Sequence, residues 1–373
     1  MSLRDSCVTP AASGRVRPKV VILYDGDARD PASWSGTPRG LSDGLISLGV
    51  DLHHVNARLG RLPRRLLERG GGLLHPEQCA LQSMIARRQL ASIEGVDAVI
   101  QIGTGLTIQP NVPTATYEDM TVIQHERYHD EWFMGFASRA RRAWKRRQRI
   151  AYKNAYACCV TSDWAGKSII EDYAVPAEKV HVVGVGGNHI ISAPTDRDWS
   201  VPRFLIVAQD WRRKNVELVV RTFRELRAGQ PTATLDVVGP YSGEAGPGVS
   251  LHGPLRLDVS AERGRVDALF RQSTCYVMPS THEASALVFV EASWAGIPSI
   301  GTTVGGVREL IGDGGVVVNP DKPLELLDAM RQLSAPAAAA HIGALARRHA
   351  EWYTWPRTAE RILQALGCAF DAL

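Results

Sequence analysis

Glu283 and Glu291 stand eight residues apart in PSTHEASALVFVEASWAGIPSIGTTVGG, residues 279–306. The apolar run CYVM (275–278) ends there, a polar turn holding Thr281, His282 and Glu283 follows, and a helical run opens near residues 284–286. Eight residues make about two helical turns. One carboxylate therefore sits at the mouth of the turn and the other deeper on the helix. An ionised carboxylate only accepts hydrogen bonds and has two oxygens for them, which suits paired sugar or ribose hydroxyls. The small residues Ala284, Ser285 and Ala286, leading into Leu287, let a ligand come close to the backbone. Free N–H groups at the start of a helix form a cradle for phosphate. A cationic cluster, Arg212, Arg213 and Lys214, lies in FLIVAQDWRRKNVELVVRTFREL after the apolar run 204–208. Fixed cations there could hold an anionic group such as a phosphate.

Elements must hold these groups in place. Short apolar, β-branched runs at 20–23, 96–102, 157–161 and 180–185 alternate with helical patterns such as 39–48 and 165–173. Runs apolar on both faces and separated by helices suit parallel strands of a doubly wound sheet. The polar, Pro-containing stretch NHIISAPTDRDWSVP (188–202) reads as a linker. The alternation then restarts, with strand-like runs at 204–208, 234–239, 275–278, 298–301 and 316–318 and helical runs at 215–228 and 287–295. The 373 residues suit two domains. The expected division is a first half over 1–190, a second over 191–350, and a terminal helical segment over 351–373.

Composition sets the broad class. The hydrophobic fraction of 45% and charged fraction of 22% are ordinary for a soluble globular protein. No apolar run is long enough to span a bilayer, and residues 1–18 read as a short frayed leader without a secretory signal. Cys7, Cys79, Cys158, Cys159, Cys275 and Cys368 form no C-x-x-C pair, so neither a zinc site nor a redox motif is expected. Apolar surroundings at Cys158, Cys159 and Cys275 fit buried thiols in a reducing cytoplasm.

Glu-x7-Glu followed by A-G-I-P and G-G resembles the C-terminal domain of the retaining glycosyltransferases of family 4 (group 1). The resemblance implies the GT-B fold: two Rossmann-like α/β domains facing across a cleft, with a C-terminal helix crossing back. It implies that Glu283 contacts the transferred sugar and Glu291 the ribose. It assigns Lys214, with Arg213 or Arg212, to the donor diphosphate, although Gln209 stands where many members carry Arg. VSLHGPL (249–255) resembles the segment beside the base, with backbone groups near Gly253 and Pro254; His252 reads as a structural histidine. WSGTPRG (34–40) resembles the glycine loop near donor and acceptor, pointing to Gly36 and Thr37, with Arg39 as a further candidate. In VPTATYEDMT (112–121) the family commonly has His at the strand end. Here Glu118 or Asp119 could orient the acceptor hydroxyl or act as base, with His125 and His129 following. The implied activity moves a sugar from a nucleotide-diphosphate sugar to the hydroxyl of a lipid, glycan or small natural product, with no metal or other cofactor. A nucleotide-sugar epimerase of this fold and a non-catalytic nucleotide-sugar-binding homologue are the alternatives.

Other signals carry less. Asp25-Gly26-Asp27 and Asp196-Arg197-Asp198 are D-x-D triplets, but a triplet arises easily by chance. Asp25 or Asp27 at a strand end better suits acceptor contact. Gly184 to Gly187 lacks the G-x-G-x-x-G pattern. Residues 139–149 hold seven Lys or Arg and no acid, and Trp132, Phe136, Ala140 and Trp144 recur every four residues as an apolar stripe. A basic amphipathic helix suits peripheral contact with an anionic membrane, attraction of an anionic acceptor, or simply a solvated face. Nucleic acid is not expected, because no nucleic-acid motif accompanies the patch. The expected location is cytoplasmic, with peripheral membrane contact through 139–149.

Overall fold

The computed structural model describes residues 17–31, 33–59, 74–109 and 111–367. Cys7, most of the leader and the final residues of the terminal segment, Cys368 among them, lie outside that range. The first half runs β1 (Lys19–Tyr24), α1 (Thr37–Ser47), β2 (Asp51–Asn56), α2 (His75–Ala91), β3 (Ala98–Ile102) and β4 (Thr114–Glu118). It continues with α3 (Val122–Arg127), α4 (Glu131–Met134), α5 (Ser138–Asn154), β5 (Ala157–Val160), α6 (Asp163–Tyr173) and β6 (Val180–Val182). Its strands form one parallel sheet in the order β2-β1-β3-β4-β5-β6. The central strands are buried on both faces, which is why β1 reads as an apolar run and β3 as one interrupted by Gln101. Edge strand β2, DLHHVN, is mostly half-exposed and escapes the apolar signal for that reason.

The second half runs β7 (Arg203–Val207), α7 (Val216–Gly229), β8 (Thr234–Val238), β9 (Val249–Gly253), α8 (Ser260–Gln272) and β10 (Cys275–Val277). It continues with α9 (Leu287–Trp294), β11 (Ser299–Thr302), α10 (Val307–Ile311), β12 (Gly315–Val318), α11 (Pro323–Ser334), α12 (Pro336–Ala350) and α13 (Trp355–Ala365). Its sheet, also parallel, has the order β12-β11-β10-β7-β8-β9. That is the doubly wound order of a dinucleotide fold, and strand order reverses direction between β7 and β10. Ligands in such sheets settle beyond the carboxyl ends of the strands at that reversal. The cationic cluster follows β7 and the Glu283 turn follows β10, so topology alone brings two distant sequence signals together.

The terminal helix α13 returns to the first half and packs on α1. Trp355 lies so close to Gly40 that any Cβ there would stand 2.1 Å from its indole nitrogen. The polar stretch between the halves is tied down by Arg197. Its guanidinium donates to Phe270 O (3.1 Å), Arg271 O (2.9 Å), Ala295 O (2.6 Å) and Ser273 O. These are orphan carbonyls at the ends of α8 and α9, where a cation is well placed.

The stripe expected of Trp132, Phe136, Ala140 and Trp144 does not lie on one helix. The chain breaks between α4 and α5, where Ala137 is extended (φ −56°, ψ 146°). The aromatics gather instead around His75, which stacks on Trp144 at 4.7 Å and meets Phe136 edge-on at 5.0 Å. Among the described residues, no helix is long and apolar enough to cross a membrane.

Candidate active site between the two sheets

The turn after β7 presents the cations. Lys214 N donates to Asp210 O at 3.0 Å and Asn215 N to Arg212 O at 3.0 Å. Asn215 closes the turn in a left-handed conformation (φ 59°). Its amide donates to Pro279 O (3.2 Å) and Pro320 O (3.4 Å), binding this turn to the one after β10. Arg213 Nη1 donates to Glu283 Oε2 at 2.8 Å and to His282 O at 3.0 Å, while Thr281 N donates to Arg213 O at 2.8 Å. Arg213 is thus the arginine joined to Glu283. Arg212 is exposed and lies over the Trp211 ring at 5.2 Å.

Residues 283–286 are not the first turn of a helix, as the sequence suggests. Helix α9 starts at Leu287, and Ala286 is extended (φ −70°, ψ 109°). The reason is Gly305–Gly306. Glu283 bridges to Gly305 like a parallel strand, Glu283 N donates to Val304 O (3.0 Å), and Gly306 N donates to Glu283 O (3.1 Å). At Gly305 (φ 116°) a Cβ would fall 1.9 Å from Glu283 O, so only glycine fits. Ala284, Ser285 and Ala286 therefore lie outside the helix, with Ala286 extended and Ser285 facing the other half.

Glu291, on α9, accepts no side-chain hydrogen bond among the described residues. Burial raises its carboxyl to about 7, partly offset by the charge of Lys214. Burial lowers the Lys214 ammonium, and Glu283 and Glu291 pull it back up. These groups keep partial access to solvent although protein surrounds them, which marks the wall of an open cleft. Gly253 (φ 68°) ends β9, and its carbonyl accepts from Gly239 N at 2.9 Å; Pro254 follows. His252 is held by Asp236 at 2.7 Å.

The first half meets this wall at several points. Ser285 Oγ donates to Asp119 Oδ2 at 3.2 Å. Burial raises the Asp119 carboxyl, and His125 and Ser285 oppose that. His282 stacks on Tyr128 at 5.9 Å and lies 3.4 Å from Asp130, which is also 3.4 Å from His125. Burial would raise the Asp130 carboxyl, but the two histidines outweigh it and hold it well below the ordinary carboxylate range. His129, left-handed at φ 51°, turns the chain between Tyr128 and Asp130. Glu309 of α10 accepts from the N–H groups of Asp163 (2.6 Å) and Trp164 (3.2 Å), capping α6 of the other half. Sequence reading gave no role to Asp130, His282 or Glu309, because their roles depend on a contact between halves that leaves no local pattern.

Glu118 lies elsewhere. It is 6% exposed, and its Oε2 accepts from Thr104 Oγ1 (2.9 Å) and Gln148 Nε2 (2.8 Å) beneath α5. Of the Glu118–Asp119 pair, only Asp119 reaches across the gap. Burial raises the Glu118 carboxyl to about 7, with the hydrogen bonds resisting. Because the native value exceeds the unfolded one, stability falls as pH rises through the window from 4.5 to about 7. Above it, the ionised group costs at most about 3 kcal/mol. Glu118→Gln should therefore match the native protein near pH 4.5 and exceed it in urea unfolding at pH 8. A Gln variant less stable at both pH values would refute this account.

Gly36 and Thr37 open α1, with Gly36 left-handed at φ 80° and Thr37 buried. Asn188 of the inter-sheet segment donates to Ser35 O and accepts from Trp355 Nε1 at 2.9 Å. A cavity of about 240 Å³ lies apart from all of this, between β3, β4 and the end of α5, lined by Gln101, Thr116 and Asn154 among others.

Comparison with known proteins adds to this geometry. Residues 201–335 match the family described as "Glycosyl transferases group 1". D-inositol 3-phosphate glycosyltransferase of Rhodococcus opacus (strain B4) is 28% identical over 221 residues, covering 53% of this chain and 50% of that protein. The chain thus spans about half the length of the curated relatives it matches. Sucrose-phosphate synthase from Thermosynechococcus elongatus superposes with a TM-score of 0.68 at 18% identity, over 93% of this chain and 98% of that one. Anabaena HepE in complex with UDP gives 0.64 at 15%, over 94% and 100%. The fold is that of the GT-B glycosyltransferases.

Proposed function

We propose that the chain is a glycosyltransferase that moves a sugar from a nucleotide-diphosphate sugar to an acceptor hydroxyl, with retention of anomeric configuration. The observation that carries this is the meeting of Arg213, Glu283, Lys214 and Glu291 at the strand reversal of the second sheet. A bound diphosphate would find Arg213, Lys214 and the backbone of 284–287 within one wall. In this reading Glu291 accepts from the ribose hydroxyls, Glu283 positions the sugar, and the base lies near Gly253 and Pro254.

Asp119 orients the acceptor hydroxyl from the opposite wall. The bond from the anomeric carbon to the diphosphate oxygen breaks as the acceptor oxygen bonds to that carbon on the same face. The acceptor proton passes to the departing phosphate oxygen. Arg213 and Lys214 offset the charge that gathers there, so the residues at hand supply the electrostatics without a metal. Closure of the two halves on the bound donor would exclude water, which would otherwise hydrolyse it.

Incubation with UDP-, GDP- and dTDP-sugars and candidate hydroxyl acceptors tests the reading. Nucleotide diphosphate release that requires acceptor is the expected result. An interconverted donor without release indicates an epimerase, and binding without turnover a non-catalytic homologue.

The basic face of α5 supports a peripheral contact with anionic membrane, where a lipid-linked acceptor would lie. Binding to vesicles containing phosphatidylglycerol should be strong at low salt and fall steeply at high salt. Equal binding to neutral vesicles would remove the electrostatic basis.

A further inference from the structure

The loop between β1 and α1 carries an aromatic ring in a costly backbone conformation. Trp34 (φ 40°, ψ 55°) and Ser35 (φ 53°, ψ 27°) are both left-handed, and Gly36 (φ 80°) continues the turn. Two adjacent non-glycine residues in this region are unfavourable and persist only where surrounding structure enforces them. Here Asn188 fixes Ser35 O, and Trp355 fixes Asn188. The next residue back, Gly187, sits against Val290: a Cβ on it would be 3.0 Å from Val290 Cγ1, one residue before Glu291. On the other side the Trp34 ring lies 6.1 Å from Tyr117, two residues before Asp119. The indole thus packs partly on the core beside Tyr117, near the strand end bearing Asp119, while the backbone next to it is tied through Asn188 to the segment leaning on the Glu291 helix. It is only partly buried, and its N–H has no partner among the described residues.

A glycine at position 34 would adopt this turn without strain, so the ring accounts for the cost. An indole face is electron-rich and attracts the polarised C–H groups on the apolar side of a sugar ring, and its N–H can donate to a hydroxyl. We infer that Trp34 is a specificity-determining residue whose ring stacks on a sugar ring at the cleft. This rests on the transfer reading above. The ring could belong to the donor sugar or to the acceptor.

The test compares Trp34→Gly with Trp34→Phe. In Trp34→Gly, kcat/KM for transfer should fall about tenfold or more, the scale of one aromatic contact. Affinity for the free nucleotide diphosphate, which lacks the sugar, should be unchanged. Trp34→Phe, which keeps a flat face, should recover most of the loss. Fluorotryptophan-labelled protein, with the Trp34 signal assigned from Trp34→Phe, distinguishes the two sources. A shift on adding nucleotide sugar alone marks the donor ring, and a shift only on adding acceptor with nucleotide diphosphate marks the acceptor. Wild-type kinetics in Trp34→Gly, equal loss of nucleotide diphosphate binding, or a Trp34 signal unmoved by either ligand would overturn the inference. Failure of the transfer reading shows separately, as wild-type protein that releases no nucleotide diphosphate in the presence of acceptor.

Discussion

Lys214→Met should lower turnover by about two to three powers of ten, the usual effect of removing one fixed group that meets charge in a transition state. The loss should fall on kcat more than on donor affinity. On the proposed reading a bound donor already carries its diphosphate charge, and Arg213 and the backbone of 284–287 would share in holding it. The bridging oxygen gains charge only as the sugar departs. Lys214 is suited to that moment because it makes no hydrogen bond to a protein side chain among the described residues. Arg213, by contrast, is committed to Glu283 at 2.8 Å. Burial lowers the Lys214 ammonium, and the nearby Glu283 and Glu291 keep it from falling further. Met preserves the stem and removes the charge, so packing changes little. Steady-state kinetics with calorimetric titration of the nucleotide diphosphate separates the two effects. Unchanged kcat in Lys214→Met would remove Lys214 from the chemistry.

The same region shows which parts of the protein are legible from residues. Parallel strands buried on both faces announce themselves, as β1, β3 and β7 do. That two carboxylates and a cationic cluster would meet was legible, because Glu283, Glu291 and Lys214 with its neighbouring arginines lie in two compact segments, each after a strand of the second sheet. The choice of Arg213 over Arg212 was not, since it depends on which side chain the Asn215 turn aims at Glu283. The late start of α9, at Leu287, was hidden for a similar reason. Its cause is pairing with Gly305, twenty-two residues downstream of Glu283. Between Glu118 and Asp119 the alternation of a strand places one on each side, and only the neighbouring layers decide which side is the cleft. The break after Met134 defeated a helical repeat that was regular in sequence. A period of four holds only while the backbone stays helical, and Ala137 leaves that region.

Glu291→Ala should weaken donor binding by about a hundredfold, since a carboxylate accepting two ribose hydroxyls loses two charge-assisted hydrogen bonds. The pH dependence makes the assignment sharper. In the free protein burial holds the Glu291 carboxyl at about 7, with Lys214 opposing. Ribose hydroxyls donate to the ionised form and favour it, so donor binding must lower that value. Affinity should therefore rise with pH from 6 to 8, approaching a plateau above about 7, and binding should release protons near neutrality. Glu291→Gln carries no titrating group and should bind weakly with a flat profile across the same range. Calorimetry in buffers of different ionisation enthalpy reads both the affinity and the protons released. If the nucleotide's own phosphate were the titrating group, the slope would survive in Glu291→Gln. Survival of the slope, or native affinity in Glu291→Ala, would take the ribose away from α9 and with it the orientation of the donor across the cleft.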